Sequence, residues 1–195
     1  MNIIFNPSLG KHEADVSLLH AAQGGDQKAV TKLMKLLAPN AHALAWRMLN
    51  SSADAEDIVQ DALVKLLQST QYEGRASLST FFYSIVSNRC LDFLRKRTHD
   101  PWDEENEELH LSSNDEEPEE ALNGKQQSSH IQALLQKLSP RQRLAISLWA
   151  YNDASILDIA SALHIEVNAA NQLLHRAKVN LKHFIQKEKN HALRR

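Results

Sequence analysis

Apolar residues recur every three or four positions through most of the chain, which is the spacing of one face of an α-helix. Early in the chain this pattern runs through the segments DVSLLHAAQ, AVTKLMKLL and AHALAWRML. Gly24, Gly25 and Pro39 punctuate these segments and predict breaks between helices. No segment of strand length alternates between apolar and polar residues, so the pattern predicts an all-α fold of stacked helices.

The next amphipathic segment carries an acidic stripe. SSAD at 51–54 resembles a capping box with Asp in place of Glu, and it opens a predicted helix that continues to residue 68. The positions that face inward are Ile58, Val59, Ala62, Leu63, Leu66 and Leu67. The opposite face is lined, at spacings of three and four, by Asp54, Asp57, Asp61, Lys65 and Gln68.

The segment STFFYSIVSNRCLDFLRKR, residues 79–97, combines aromatic side chains with a cationic end. At ~100° per residue its apolar positions share one broad arc, from within which Arg89 projects, and Phe81 lies on the opposite, polar side. The other polar and cationic residues of interest are Asn88, Arg95, Lys96 and Arg97. A flat ring beside cations suits single-stranded nucleic acid, which needs base stacking and phosphate contacts. The alternative is an aromatic helix buried in the fold.

Charge is distributed very unevenly along the chain. The net charge is −2, but residues 98–130 hold eleven acidic residues and one Lys, whereas residues 131–195 carry ten Lys or Arg against four acids. The acidic segment is also poor in large apolar residues, so it cannot bury enough surface to offset the entropy of ordering. We therefore predict a flexible linker, either as a solvated spacer or as an acidic strip with its own partner.

After the linker, the pattern predicts a helix in IQALLQKL and a second in LSPRQRLAISLWA, with Ser139 as N-cap and Pro140 at the first helical position. SILDIASAL, the short break HIEV and NAANQLLHRAKVNLKHFI then describe a helix-turn-helix unit, in which small Ala160 lies where the helices cross. Such a unit places its second helix in the major groove of DNA. The alternative is a three-helix packing unit that touches no DNA, although the basic charge favours DNA.

Composition excludes several classes of protein. The single cysteine, Cys90, allows no internal disulfide and indicates a reducing compartment, by default the cytoplasm. The start lacks the features of a secretion signal, and no apolar run approaches the ~20 residues needed to cross a bilayer, so no membrane insertion is expected. The ten His residues are scattered, and no HExxH, Ser-His-Asp or phosphate-loop motif is present. We therefore expect no enzyme activity, no cofactor and no metal.

Taken together, these segments resemble an extracytoplasmic-function (group IV) RNA polymerase sigma factor of the sigma-70 family. The resemblance rests on DVSLLHAAQGGDQKAV, DAEDIVQDALVKLL and YEGRASLSTFFYSIVSNRCLDFLRKR, and then on LSPRQRLAI and DIASALHIEVNAANQLLHRAKVNL. It implies an N-terminal extension at 1–11, sigma region 2 as a helical bundle at 12–97, the acidic linker at 98–130, sigma region 4 at 131–190 and a tail at 191–195.

The resemblance also implies partners and contact residues. Region 2 would dock on the clamp helices of the largest subunit of core RNA polymerase through Asp54, Asp57, Gln60, Asp61 and Lys65. The melted minus-10 promoter element would contact the EGRAS loop and the helix after it, through Arg75, Ser77, Phe81, Asn88, Arg89, Arg95, Lys96 and Arg97. Region 4 would rest on the flap of the second-largest subunit and bind the duplex minus-35 element. Its contacts would be Arg141, Arg143, Asn168, Asn171, Gln172, His175, Arg176 and Lys178. An anti-sigma factor would be a further partner.

The recognition helix departs from the family pattern. His164 stands in a turn where Gly is usual, which predicts a positive φ at a cost of ~1 kcal/mol. Asn171 and Leu173 stand where Lys and Arg are usual, so phosphate contacts are fewer. Either Asn168, Asn171 and Gln172 read a different promoter element, or region 4 serves a protein rather than DNA. Asn and Gln side chains can pair bidentately with adenine, which favours the first alternative.

A free-standing helix-turn-helix regulator is the competing class of function. It accounts for the C-terminal half, but it gives no reason for the acidic stripe on residues 54–68 or for an aromatic side chain beside cations of the single-strand type. The sequence leaves open whether the two halves pack together when polymerase is absent.

Overall fold

The computed structural model describes residues 12–98 and 124–192, and within these ranges the backbone forms eight α-helices and no strand. The first four make the N-terminal lobe and the last four make the C-terminal lobe. The all-α prediction is confirmed, and the two lobes match the predicted halves. The helices of the N-terminal lobe are α1 (Glu13–Gln23), α2 (Gln27–Leu49), α3 (Ser52–Gln68) and α4 (Leu78–Thr98). Those of the C-terminal lobe are α5 (Gly124–Gln136), α6 (Pro140–Tyr151), α7 (Ile156–Leu163) and α8 (Val167–Ala192).

Helix α2 runs through Pro39 without a break, so the predicted end of a helix at this residue is wrong. Proline removes one intrahelical hydrogen bond, to the carbonyl of residue i−4, which here is Lys35. Both Pro39 and Lys35 are exposed, so water can satisfy that carbonyl. The apolar side of α2 is fully buried on either side of the proline, at Leu37 and Ala41, and this packing keeps the helix continuous.

Helix α4 is buried on two sides, which explains why its polar and apolar positions separate poorly in the sequence. Phe82 and Val86 are fully buried in the N-terminal lobe, where α4 packs against α2 and α3. Tyr83 and Ser87 are buried as well, because α6 and α7 of the C-terminal lobe pack on α4. One continuous apolar core therefore includes residues of both lobes.

Helix α5 begins at Gly124, seven residues before the predicted end of the linker, so residues 124–130 are helical rather than part of a linker. The remainder of the predicted linker, from residue 99 to residue 123, lies outside the described residues, as do the predicted N-terminal extension and the end of the tail. The predicted N-cap at Ser139, which accepts from the backbone N–H of Gln142 at 3.3 Å, and the predicted Pro140 at the first helical position are both confirmed.

The helix-turn-helix geometry also follows the prediction. Ala160 is buried where α7 meets α8. His164 ends α7 with φ 53° and ψ 45°, so the predicted left-handed turn residue is confirmed. Ser155 and Asp158 form a capping box at the start of α7, each side chain accepting from the backbone N–H of the other. Asp153, which precedes this cap, has φ 48° and is exposed.

Cys90 is fully buried, and burial raises the pKa of its thiol to about 12, so the side chain packs as a small apolar group at neutral pH. None of the helices in the described part of the chain has the length and apolar character needed to cross a membrane.

Replacement of Asp153 by Gly should stabilise the protein. An L-residue in the left-handed region carries a steric strain that Gly does not, and the Asp153 side chain is exposed. We expect Asp153→Gly to raise the free energy of unfolding by about 0.5–1 kcal/mol. Urea denaturation followed by circular dichroism measures this change. Asp153→Ala is the matched control because it keeps the strain, and equal stability of the two variants would contradict the explanation.

Candidate nucleic-acid interface

The outer face of α3 is a polar stripe on a rigid support. The apolar positions predicted to face inward are buried or half-buried in the core, as expected. Asp57, Gln60, Asp61 and Lys65 are exposed on the opposite side, and Val64 is 54% exposed among them. The Ser51 hydroxyl accepts from the backbone N–H of Asp54 at 3.3 Å, which fixes the start of the helix.

The loop between α3 and α4 is held by residues far apart in the sequence. Asp15 of α1 accepts from the backbone N–H of Leu78 at 3.0 Å, and Ser77 accepts from that of Thr80 at 3.0 Å, so both side chains cap the start of α4. Gly74 has φ 71°, and a Cβ there would lie 2.9 Å from Cγ2 of Val16. The loop therefore packs against α1, and Asp15 is an anchoring residue that sequence reasoning missed.

Phe81 is half-buried, which corrects the expectation of an exposed ring. Its ring packs against Tyr72, with centroids 5.3 Å apart and planes tilted by 40°. The Tyr72 hydroxyl donates to the Ala76 carbonyl at 2.9 Å and lies 3.5 Å from a carboxylate oxygen of Asp15. Burial, followed by the Asp15 charge, raises the pKa of Tyr72, so its hydroxyl remains a donor at neutral pH. Phe81 thus presents one part of its ring beside the loop.

Phe81, Asn88 and Arg95 form a stripe along α4, because at ~100° per residue they lie within about 40° of one another around the axis. We call these three residues the α4 stripe. Asn88 Nδ2 lies 3.0 Å from Nε2 of His164 in the C-terminal lobe. Arg95 is exposed and donates to Asp92 at 2.8 Å.

The other cations predicted to contact single-stranded DNA have different surroundings. Arg75 is exposed and pairs with Glu73 at 2.5 Å in the loop. Lys96 is exposed, while Arg97 lies 3.7 Å from Asp54 and over the ring of Phe93. Arg89 is half-buried, and its Nε is buried without a hydrogen-bond partner among the described residues. Arg89 thus lies off the α4 stripe, as the helical wheel predicts.

Helix α8 presents the predicted recognition residues on one exposed face. Asn168, Asn171, Gln172, His175 and Arg176 are all exposed, and the last four line an open depression of about 430 Å³. The opposite face is buried, including Leu173 and Leu174. This face therefore offers amide and imidazole groups rather than a row of cations.

Two cations that the resemblance assigns to the minus-35 element, Arg143 and Arg141, bind other groups of the protein itself. Arg143, predicted to contact the minus-35 element, is only 6% exposed and donates to the carbonyls of Leu135, Gln136, Leu138 and Met48 and to the side chain of Gln136, so its guanidinium does not face solvent here. The prediction for Arg143 came from the family resemblance, which does not indicate that the residue donates to the carbonyls of Gln136 and Leu138. Arg141 is half-buried and donates to the Leu163 carbonyl at 3.3 Å.

Lys178 is half-buried, with its Nζ 3.3 Å from the centroid of the Trp149 ring. Trp149 itself is 47% exposed. This cation is therefore held by an aromatic ring on α6 and lies at the edge of the α8 face.

The surfaces differ in the side chains that they expose. In the described ranges no group of three His, Cys, Asp or Glu side chains is arranged to hold a metal ion. The α4 stripe combines a partly exposed ring with amide and guanidinium donors, and the α8 face exposes Asn and Gln side chains. The described part of the chain thus presents three separate surfaces: the α4 stripe, the exposed face of α8 and the acidic face of α3.

Comparison with known proteins identifies both lobes. The family model of sigma-70 region 2 matches residues 33–99, and that of sigma-70 region 4 matches residues 129–181, together more than half of the chain. The ECF RNA polymerase sigma factor SigW of Bacillus subtilis is 28% identical over 167 residues, covering 81% of this chain and 89% of SigW. The ECF RNA polymerase sigma factor SigE of Mycolicibacterium smegmatis is 25% identical, covering 84% of this chain and 65% of SigE, just under two thirds of that relative.

Two solved structures share the fold. CnrH, in complex with the cytosolic domain of CnrY, superposes with a TM-score of 0.67 at 19% identity, covering 90% of this chain and 99% of CnrH. RpoE of Bartonella quintana, in complex with the anti-sigma factor NepR, gives a TM-score of 0.61 at 24% identity, covering 80% of this chain and 96% of RpoE.

Replacement of Gly74 by Ala should destabilise the loop before α4. The new Cβ would adopt a strained backbone conformation and would also collide with Val16. We expect the free energy of unfolding to fall by about 2–3 kcal/mol. Urea denaturation measures the loss. Gly25→Ala is the control, because Gly25 has φ 90° but no atom within 4 Å of the added Cβ. An equal loss in both variants would show that the contact with Val16 is unimportant.

Proposed function

Because the chain belongs to the extracytoplasmic-function group of the sigma-70 family, we propose that it binds core RNA polymerase and directs promoter recognition, DNA opening and transcription initiation. The observation that carries this proposal is the presence of three separate surfaces on one chain: the acidic face of α3, the α4 stripe and the exposed face of α8. A free-standing helix-turn-helix regulator needs only the last of these.

Docking on core polymerase involves the exposed face of α3. Asp57, Asp61 and Lys65 project from a helix whose other side is locked into the core, so the stripe is presented without local rearrangement. Its acidic character suits a basic surface, for which we propose the clamp helices of the largest polymerase subunit. Val64 adds an exposed apolar contact at the centre of this face. The C-terminal lobe rests on the flap of the second-largest subunit.

Promoter opening involves the loop before α4 and the α4 stripe. An unstacked base can enter the loop held by Gly74, and Phe81 supplies a ring against which a neighbouring base stacks, which contributes ~1–3 kcal/mol per base. The phosphates of the melted DNA strand contact the cationic end of α4, which consists of Arg95, Lys96 and Arg97. The minus-10 element is thus bound as melted DNA.

Recognition of the minus-35 element involves α8 in the major groove of duplex DNA. Asn168, Asn171 and Gln172 are exposed near its N-terminus, which is the end that enters the groove. Asn and Gln pair bidentately with adenine, so we propose that this helix reads an adenine-containing element. His175 and Arg176 lie one turn further along and contact the bases or the backbone.

We propose two further features of the biology. Core polymerase operates in the cytoplasm, which places this protein there, in a binding role rather than as an enzyme. The solved structure of RpoE contains the anti-sigma factor NepR, and an anti-sigma factor is accordingly a candidate partner of this chain.

A second candidate function is that the C-terminal lobe binds a protein instead of DNA. The observation that favours it is that Arg143 is buried and that Asn171 stands where the family usually has a cation. Loss of sequence preference in an α8 variant distinguishes the two functions.

Reversal of one charge on α3 tests the polymerase surface. Asp61→Lys should weaken copurification with core polymerase and reduce run-off transcription at least about tenfold, because a like charge then faces a basic partner. Glu13→Lys makes the same charge change at an exposed site on α1 and should retain binding and transcription. Run-off transcription from a fragmented genomic library also reveals the promoters. Binding of the wild type to DNA but never to core polymerase would replace the proposal with a free-standing regulator.

Truncation of the amides on α8 tests base reading. Asn171→Ala combined with Gln172→Ala should weaken binding to the selected promoters by about 5- to 100-fold and relax the preference at one or two base pairs, since a bidentate contact discriminates by about 1–3 kcal/mol. Gln186→Ala removes an equivalent exposed amide about four turns further along α8 and should change neither quantity. Unchanged affinity and preference in the double variant would support the protein-binding alternative.

A further inference from the structure

Helix α1 holds both ends of the loop between α3 and α4, residues 69–77, into which an unstacked base is proposed to enter. Where the loop leaves α3, Gln23 Nε2 donates a hydrogen bond to the Ser69 carbonyl at 2.7 Å. Where the chain enters α4, the backbone N–H of Leu78 donates to Oδ2 of Asp15 at 3.0 Å. The partners in these two contacts are 46 and 63 positions apart in the sequence, so α1 is a long-range support of the loop.

The middle of the loop also lies on α1. The backbone of Gly74 is buried against this helix, and a Cβ at Gly74 would lie 2.9 Å from Cγ2 of Val16 and 3.8 Å from Cβ of His12. Leu19 and Ala22 are buried in the core and keep α1 in place. A fixed helix therefore supports the start, the middle and the end of the loop.

Side chains of the loop alternate between α1 and solvent. Tyr72 and Gly74 are buried, whereas Gln71, Glu73 and Arg75 are exposed. Successive side chains of an extended segment point to opposite sides, so the exposed groups project away from α1. Helix α1 thus lies behind the surface that would meet DNA, and it can act on a bound base only through the conformation of the loop.

One carboxylate oxygen of Asp15 also connects the loop to the ring proposed to stack on DNA. Besides accepting from the backbone N–H of Leu78, Oδ2 of Asp15 lies 3.5 Å from the Tyr72 hydroxyl. That hydroxyl donates to the Ala76 carbonyl inside the loop at 2.9 Å, and the Tyr72 ring packs on Phe81. Asp15 therefore helps to fix the loop backbone and the position of Phe81 at the same time.

We propose that Asp15 is a positioning residue for the minus-10 element: through Leu78 and Tyr72 it keeps the loop in the conformation that accepts and selects an unstacked base. This inference rests on the proposed function. The match to sigma-70 region 2 begins at residue 33, so it assigns α1 no role in DNA binding.

Loss of this anchor should lower both the affinity and the selectivity for the melted strand. A preorganised loop loses little conformational entropy when a base binds, whereas a loop with several conformations loses more. If about one chain in ten keeps the competent conformation, the apparent affinity for the strand falls about tenfold. The other conformations present different groups to the base, so the preference for one base over another weakens as well.

Asp15→Ala removes the anchor, and three other variants make the test specific. Asp15→Asn keeps an oxygen that can accept from the backbone N–H of Leu78, so it should behave nearly as the wild type. Gln23→Ala removes the anchor at the other end of the loop and alters only an exposed side chain. Asp26→Ala is the matched control, because it removes a helix cap of the same kind, which accepts from the backbone N–H of Lys28 at 2.8 Å, and leaves both anchors of the loop intact.

Hydrogen exchange and DNA binding supply the two measurements. In the free chain, amide hydrogen exchange of residues 69–78 should be faster in Asp15→Ala and Gln23→Ala than in the other proteins. The holoenzyme with core polymerase is then titrated with single-stranded oligonucleotides that carry the minus-10 element of a promoter found by run-off transcription, with each base substituted in turn. Asp15→Ala and Gln23→Ala should bind the element about three- to tenfold more weakly and discriminate less at one position, with binding to the duplex minus-35 element unchanged.

Equal weakening by Asp15→Ala and Asp26→Ala would show that Asp15 contributes only to stability, and it would overturn the proposal. A base preference in Asp15→Ala equal to that of the wild type would overturn it as well. If Asp15→Ala does not fold, the same outcomes are read from Gln23→Ala. A wild-type holoenzyme without any base preference in the minus-10 strand would instead reject the proposed function, and the positioning role with it.

Discussion

The structure depends on the burial of α4 on two sides. A helix that packs against α2 and α3 with Phe82 and Val86, and against α6 and α7 with Tyr83 and Ser87, joins both lobes into one apolar core. Such a helix cannot carry a wide polar face, which is why its polar positions reduce to a narrow stripe. That stripe is also the part of α4 suited to nucleic acid. The 21 residues of α4 therefore contribute both to the core and to the surface proposed to bind nucleic acid.

Arg143 contributes a directional contact to the packing of the two lobes. Its five hydrogen bonds connect α5, the turn that follows it and the end of α2. Burial lowers the pKa of Arg143 to about 10, which leaves the guanidinium charged at neutral pH. Burying a charge is unfavourable unless oxygen acceptors surround it, and four of the five acceptors belong to the same lobe as Arg143. The fifth, the Met48 carbonyl, belongs to the N-terminal lobe and favours the relative position in which it lies within reach. Apolar packing alone is not directional, so it would fix the relative position of the two lobes less closely.

Local features of the fold could be predicted from the sequence, whereas long-range features could not. The cap at Ser139, the left-handed turn at His164 and the inward face of α3 follow from short patterns, because each depends on neighbours within four or five residues. The helix break predicted at Pro39 was wrong, because the effect of a proline on a helix depends on the packing and exposure of the residues on either side of it. The contact of Asp15 with Leu78 joins residues 63 positions apart, and no periodicity indicates such a pair. The kinds of side chain in the candidate sites could be predicted from the sequence, but the residues that they contact within the chain could not.

Most groups proposed to meet melted DNA already have a partner within the chain. Phe81 packs on Tyr72, Asn88 contacts His164, and Arg97 lies near Asp54 on the helix proposed to dock on polymerase. DNA must therefore replace existing contacts, so its net affinity is a difference between two sets of similar interactions. The contact of Arg97 with Asp54, at 3.7 Å, joins the end of α4 to the start of α3, so the two proposed surfaces meet at this pair.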